Sequence, residues 1–130
     1  MRTLRAEIAI RFPEIRATHD EEDGNYTLMQ RLVEWLRGMR REAISTDIVE
    51  RVRSFKEWCE EQPRTESAEN DVWTIFIVGF WERLFESDST RLLIPHLMSR
   101  EEVIANRTYL ESWVGADNYQ IALGEYEQTV

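Results

Sequence analysis

Apolar residues recur along this chain mostly at three- and four-residue intervals, the period of one face of a helix. In the opening segment, RTLRAEIAIRFPEIRA, Leu4, Ile8 and Phe12 follow at i, i+4 and i+8, and Pro13 predicts a stop or kink. The pattern lapses over THDEEDGN, residues 18–25, an acidic stretch ending in a Gly-Asn turn that reads as a loop. From Tyr26 to about Ala43 it resumes. Leu28, Leu32, Trp35, Leu36 and Met39 share a face, and Gly38 weakens the helix locally. Ser45 or Thr46 then caps a further helix, with Asp47 in its first turn and a stripe of Ile48, Val52, Phe55, Trp58 and Cys59. Two such helices joined by a short turn predict an antiparallel hairpin.

The run VWTIFIVGFW, Val72 to Trp81, is of a different kind, with ten uncharged residues between Asp71 and Glu82. It is about half of the roughly 20 residues that a membrane helix needs, so no membrane span is predicted. A helix apolar around most of its circumference belongs inside a bundle. The β-branched Val72, Ile75, Ile77 and Val78 also permit a strand, but Trp73, Phe76, Phe80 and Leu84 keep helical spacing. Residues 68–86 are therefore predicted as a buried central helix. In RLLIPHLM, Pro95 predicts a short helix or kinked turn. Ser99 and Glu102 form a capping-box pattern, Val103, Ile104, Arg107, Leu110 and Trp113 follow, and Gly115 stands where a C-terminal cap belongs. The tail predicts a short helix near Asp117 to Leu123 and then fraying. With no internal repeat and no linker, the expectation is one all-α domain over 1–130, a bundle of about five to six helices.

Composition agrees with that pattern. Few breakers (five Gly and three Pro in 130 residues) favour helices over a turn-rich β fold, and fourteen aromatic residues supply surface to bury. Cys59 is the single cysteine, so no intrachain disulfide can form, and Arg2, Arg5, Glu7 and Arg11 interrupt any N-terminal signal pattern. Both points lead to the expectation of a cytoplasmic protein. Net charge is −9, unevenly placed: residues 1–56 hold 11 Lys plus Arg against 10 acids, residues 57–130 hold 5 against 15. The second half would repel a phosphate backbone, so no nucleic-acid partner is expected, and the shortness of the apolar run leaves no membrane partner expected either. Lys56 is the only lysine, an arginine bias that also follows from genomic base composition.

Candidate chemistry is sparse. Asp20 to Asp23 lack the alternating ligands of a calcium loop and read as solvated. His19 and His96 lie far apart, no helical metal-ligand spacing is present, and neither a metal nor a cofactor is implied. Glu82 and Glu86, one turn apart, could form an acid–base or metal pair, but a solvated rim is the preferred reading. Cys59 sits in EWCEEQ, where two acids raise a thiol's pKa, so a structural role is preferred to a nucleophile. There is no phosphate loop, nucleophile elbow or dinucleotide fingerprint. The lean is away from an enzyme. Of Trp35, Trp58, Trp73, Trp81 and Trp113, at least three are expected in the core, with Trp81 or Trp113 as an alternative partner anchor.

An acidic, compact, motif-free helical chain resembles the small cytoplasmic immunity proteins of bacterial toxin systems. The segment LLIPHLMSREEVIANRTYLESWVG, residues 92–115 and about a fifth of the chain, resembles an uncharacterised family of small bacterial helical proteins. The resemblance implies a bacterial protein-binding module that occludes a basic toxin, and it transfers no functional residues. The candidate surface is Glu57, Glu60, Glu61, Glu66, Glu69 and Asp71, with a merely solvated rim as its plain counterpart. One alternative is a small enzyme or ligand-binding protein with a pocket lined by Trp73, Phe76, Phe80 or Trp113, with Arg107 or His96 supplying polar groups. Another is an oligomeric scaffold subunit with an exposed stripe on the 26–43 helix or the tail.

Overall fold

A computed structural model describes residues 3–18, 24–67 and 70–128, and every regular element among them is helical. The expected loop around His19 and Asp20 to Asp23, and Ala68 and Glu69, lie outside the described residues. Helix α1 spans Leu4–Arg11 and is capped by Thr3, whose hydroxyl accepts the Ala6 N–H. Leu4, Ile8 and Phe12 all face the core, as their spacing predicts. Pro13 ends the α-helix, and a 3₁₀ turn follows over Pro13–Thr18.

Helix α2, Asn25–Arg37, buries Leu28, Met29, Leu32, Val33 and Leu36. It stops at Gly38, short of the expected Ala43, and a 3₁₀ turn at Arg41–Ala43 leads into buried Ile44. Ending early lets Arg41 reach Glu125 and the Asp88 carbonyl, which a continued helix would carry past. Ser45 then caps α3, Thr46–Glu61, by accepting the Ile48 N–H, and Ile48, Val49, Val52, Phe55 and Cys59 line its buried side. Arg51 of α3 holds Glu14 through two 2.8 Å bonds and donates to the Arg11 carbonyl, tying the start of the chain to the hairpin.

The apolar run folds as one helical path in three geometries: α4 at Val72–Phe76, a π turn at Ile77–Trp81, and a 3₁₀ turn at Glu82–Glu86. It begins at Val72, where Asp71 caps it, and touches α2 and α3 as well as the helices that follow. Ile75, Phe76, Phe80, Leu84 and Phe85 are fully buried, whereas Val78 and Arg83 remain exposed. Gly79 faces α2 closely, and a Cβ there would sit 3.2 Å from the Met29 Cβ and 3.3 Å from Tyr26. Glycine is what allows the two helices this separation.

Two short helices follow, α5 at Asp88–Arg91 and α6 at Ile94–Leu97, with Pro95 in the first turn of α6, where its missing N–H is harmless. The capping box of Ser99 and Glu102 forms as predicted and opens α7, Arg100–Ala105. The single helix expected up to Gly115 breaks at Asn106, whose side-chain amide donates to the Glu102 carbonyl and displaces the helical pattern. Helix α8 then runs Arg107–Val114 to Gly115, which takes φ +94° and turns the chain back. The tail does not fray after Leu123. It forms α9, Ala116–Gln128, held by Glu125 on Arg41 and by the Tyr126 hydroxyl donating to the Met98 carbonyl at 2.8 Å. The described helices are therefore more numerous and shorter than the five to six expected.

Gly79→Val should destabilise the fold by about 2 kcal/mol through overpacking against Met29. Gly124→Ala, in α9 with open space around it, should instead raise stability by about 0.5 kcal/mol. Urea unfolding of the two variants beside the parent checks both signs.

Candidate functional site

The predicted acidic surface separates into three parts. Glu57, Glu60 and Glu61 are exposed on the last two turns of α3, and Glu66 is exposed in the loop beyond. Glu60 pairs with Lys56 at 2.9 Å, and Glu57, Glu61 and Glu66 have no ion pair among the described residues. Glu69 lies outside the described residues. Asp71 corrects the expectation, because it is buried at 1% exposure and presents nothing to a partner. Its carboxylate accepts from the Thr74 hydroxyl at 2.6 Å, the Thr74 and Thr65 N–H groups, and Arg64 at 3.0 Å. The Thr74 hydroxyl first, then the Thr65 amide and Arg64, hold its pKa far below the usual carboxylate range.

The other singled-out groups also find their places. Cys59 is fully buried, and burial pushes its thiol far up, which suits a packing role rather than a nucleophile. His96 is exposed on α6, and His19 lies outside the described residues. No group of His, Cys, Asp or Glu suited to a metal ion occurs among the described residues, and none of their helices is long and apolar enough to cross a membrane. Glu82 and Glu86 are not a pair. Glu86 reaches Arg37 at 2.6 Å on the surface, whereas Glu82 is buried at 7% exposure and accepts the Tyr109 hydroxyl at 2.7 Å. Burial raises the Glu82 pKa, with the Tyr109 hydrogen bond opposing it. Burial and Glu82 together push the Tyr109 phenol up to about 12, so it stays a donor at neutral pH.

Of the five tryptophans, Trp81 is buried, Trp35, Trp58 and Trp73 are half-buried against the core, and Trp113 is 68% exposed beside Tyr109. The expected aromatic pocket divides accordingly. Phe76 and Phe80 are fully buried within the ring cluster around Phe55. Arg107 is engaged with Glu111 on the surface. Trp73 instead lines an open apolar cleft of about 380 Å³ together with Ile77, Trp81, Met98, Asn106 and Tyr109. The Trp81 indole N–H is buried without a hydrogen-bond partner. Sequence reasoning missed Ile77, Met98, Asn106 and Tyr109 here, and only the Trp73/Ile77/Trp81 spacing of four signals a shared face. A second, polar cleft of about 350 Å³ is bordered by Arg53, Lys56, Glu57, His96 and Glu102, and Met98 lines both clefts. Glu57 of α3 and the aromatic cleft thus border on one another through Met98.

No protein-family model matches this chain, and no curated protein or solved structure is similar to it.

Two of the buried carboxylates, Asp71 and Glu82, have opposite linkage. Asp71, with a lowered pKa, contributes stability above the ordinary Asp value of 3.8 that is lost as pH falls. Asp71→Asn should therefore lower the Tm at pH 7, and the deficit should shrink in acid. Glu82 binds its proton more tightly when folded, so stability falls as pH rises from the ordinary value of 4.5 through the raised one. Glu82→Gln, which still accepts from Tyr109, should gain about 1 kcal/mol at pH 7 and lose this dependence. Thermal melts of both variants between pH 3 and pH 8 check these signs.

Proposed function

We propose that this chain is a protein-binding module that engages a basic partner through the exposed acids at the end of α3. In this reading it acts as an immunity-type protein of the bacterial cytoplasm and occludes a toxin. The observation that carries the reading is where those acids sit. A helix C-terminus has partial negative charge and is stabilised by cations. The last turn of α3 contains Glu60 and Glu61 and no basic residue. Elsewhere four arginines are committed to acids within the fold: Arg11 to Glu7, Arg37 to Glu86, Arg41 to Glu125, and Arg51 to Glu14 and Asp47. Lys56 answers Glu60, and Glu57 and Glu61 leave the end of α3 with negative charge that no cation pairs among the described residues, placed where it opposes folding.

Charge of that kind speeds encounter with a basic surface and sets specificity. A bundle built round a central 72–86 helix supplies the rigid support, because acids on a firm helix end lose little entropy on pairing. The function is binding, with no reaction assigned to the site.

The test is a pull-down from the native host's lysate, washed at low and high salt, followed by affinity measurement on the captured protein. A basic protein released at high salt is expected. The combined Glu57→Lys, Glu61→Lys and Glu66→Lys variant should lose about tenfold or more in affinity, with a flatter salt dependence. The same variant should melt no lower than the parent, since it removes a repulsive helix end. Unchanged affinity sinks the reading.

A further inference from the structure

Three departures from ordinary helix packing meet at one place on the surface. The backbone widens into a π turn at Ile77–Trp81, a distortion that recurs at functional sites. The buried Trp81 N–H lacks a partner. Glu82, the next residue, buries a carboxylate to which, among the described residues, only the Tyr109 hydroxyl is bonded. Each opposes stability. The other buried acids are met by arginines: Glu7 by Arg11, Asp71 by Arg64 and Glu125 by Arg41. Glu82 alone among these has no bonded cation, and the residues around it, Ile77, Trp81 and Tyr109, line the apolar cleft.

The walls of that cleft are suited to one class of ligand. Trp73 lies parallel to Phe76, with centroids 5.4 Å apart and planes 11° apart, so Phe76 covers one indole face and not the other. Tyr109 lines the cleft with its ring and holds Glu82 with its hydroxyl. Aromatic faces attract cations, and the buried Glu82 carboxylate, one hydrogen bond behind the Tyr109 wall, adds negative charge. An anion would be repelled by Glu82 and by the −10 balance of residues 57–130. A neutral apolar ligand would bury Glu82 further without compensating it.

We infer that this cleft binds an organic cation, an alkylammonium or alkylguanidinium group, between Trp73 and Tyr109 with the Glu82 carboxylate as its counter-charge. The volume of about 380 Å³ accommodates a group the size of a lysine or arginine side chain. The site is distinct from the acids of α3, and it explains why a buried carboxylate with no bonded cation among the described residues is kept.

The experiment is an NMR titration of the full chain with n-butylammonium and n-butylguanidinium, with n-pentanol as the neutral counterpart. The indole N–H signals of Trp73 and Trp81 are followed. Both cations should shift them saturably, and the alcohol should bind about tenfold more weakly or not at all. Glu82→Gln should weaken the cations by about tenfold while melting no lower than the parent. Trp73→Ala should abolish the response. The triple lysine variant on α3 and its loop should stay within about twofold of the parent, so that failure of the partner reading and failure of this one are read separately. A capped peptide with one central lysine identifies the source. Binding like the free amine assigns the cleft to a protein side chain, and exclusion of the peptide assigns it to a small amine. Absence of saturable shifts, an alcohol that binds as well as the cations, or unchanged affinity in Glu82→Gln overturns the inference.

Discussion

Phe55, in the middle of α3, meets Phe12, Phe76 and Phe80 edge-on at 5.7, 6.0 and 6.3 Å and stacks against Trp58. Segments far apart in sequence become one body at that ring. Tilted aromatic contacts each add about 0.5–1.5 kcal/mol beyond the area they bury, and they do so only within a narrow range of geometry. This fixes the rotation of the 72–86 segment about its own axis. With Phe76 and Phe80 committed inward, Gly79 must face α2, and Trp73, Ile77 and Trp81 must line the cleft. The candidate ligand site is thus a consequence of how the core is keyed.

Charge is distributed by the same economy of position. Arg51 reaches Glu14, Asp47 and a backbone carbonyl, and its guanidinium lies about 6 Å from the ring centres of Phe12 and Trp35. Arg41 similarly joins α9 to the turn after α2 and to α5. A planar fork of five donors can hold several acceptors at once while its face lies over a ring. Arg41 and Arg51 therefore act as internal fasteners, and the exposed acids at the end of α3 are not drawn into such contacts.

Against that background the surroundings of Trp81 and Glu82 are exceptional. A protein whose other buried carboxylates are matched by arginine keeps one that is not, beside an unpaired indole N–H and a widened helical turn. Local departures from good packing persist where something other than stability maintains them. Their meeting beside one cleft, which shares Met98 with a polar cleft bordered by Glu57, places the two candidate surfaces side by side.

The helical character of the chain, the Ser45 cap, the Ser99–Glu102 box and the turn at Gly115 were all legible in the amino-acid sequence. They depend on interactions within a few residues, and such interactions leave a local pattern. So did the inward faces of α1, α2 and α3. What tertiary structure decided lay beyond that range. Asp71 became buried because Thr65 and Arg64 fold back onto it, and Glu82 became buried because Tyr109, twenty-seven positions away, arrives to cover it. Helix α2 ended early and α9 ran on because Arg41 and Glu125 meet across the fold. The cleft itself has no sequence signature, since its walls come from residues 73 to 109. Periodicity reports which side of a helix is apolar, and only packing decides which part of that side remains uncovered.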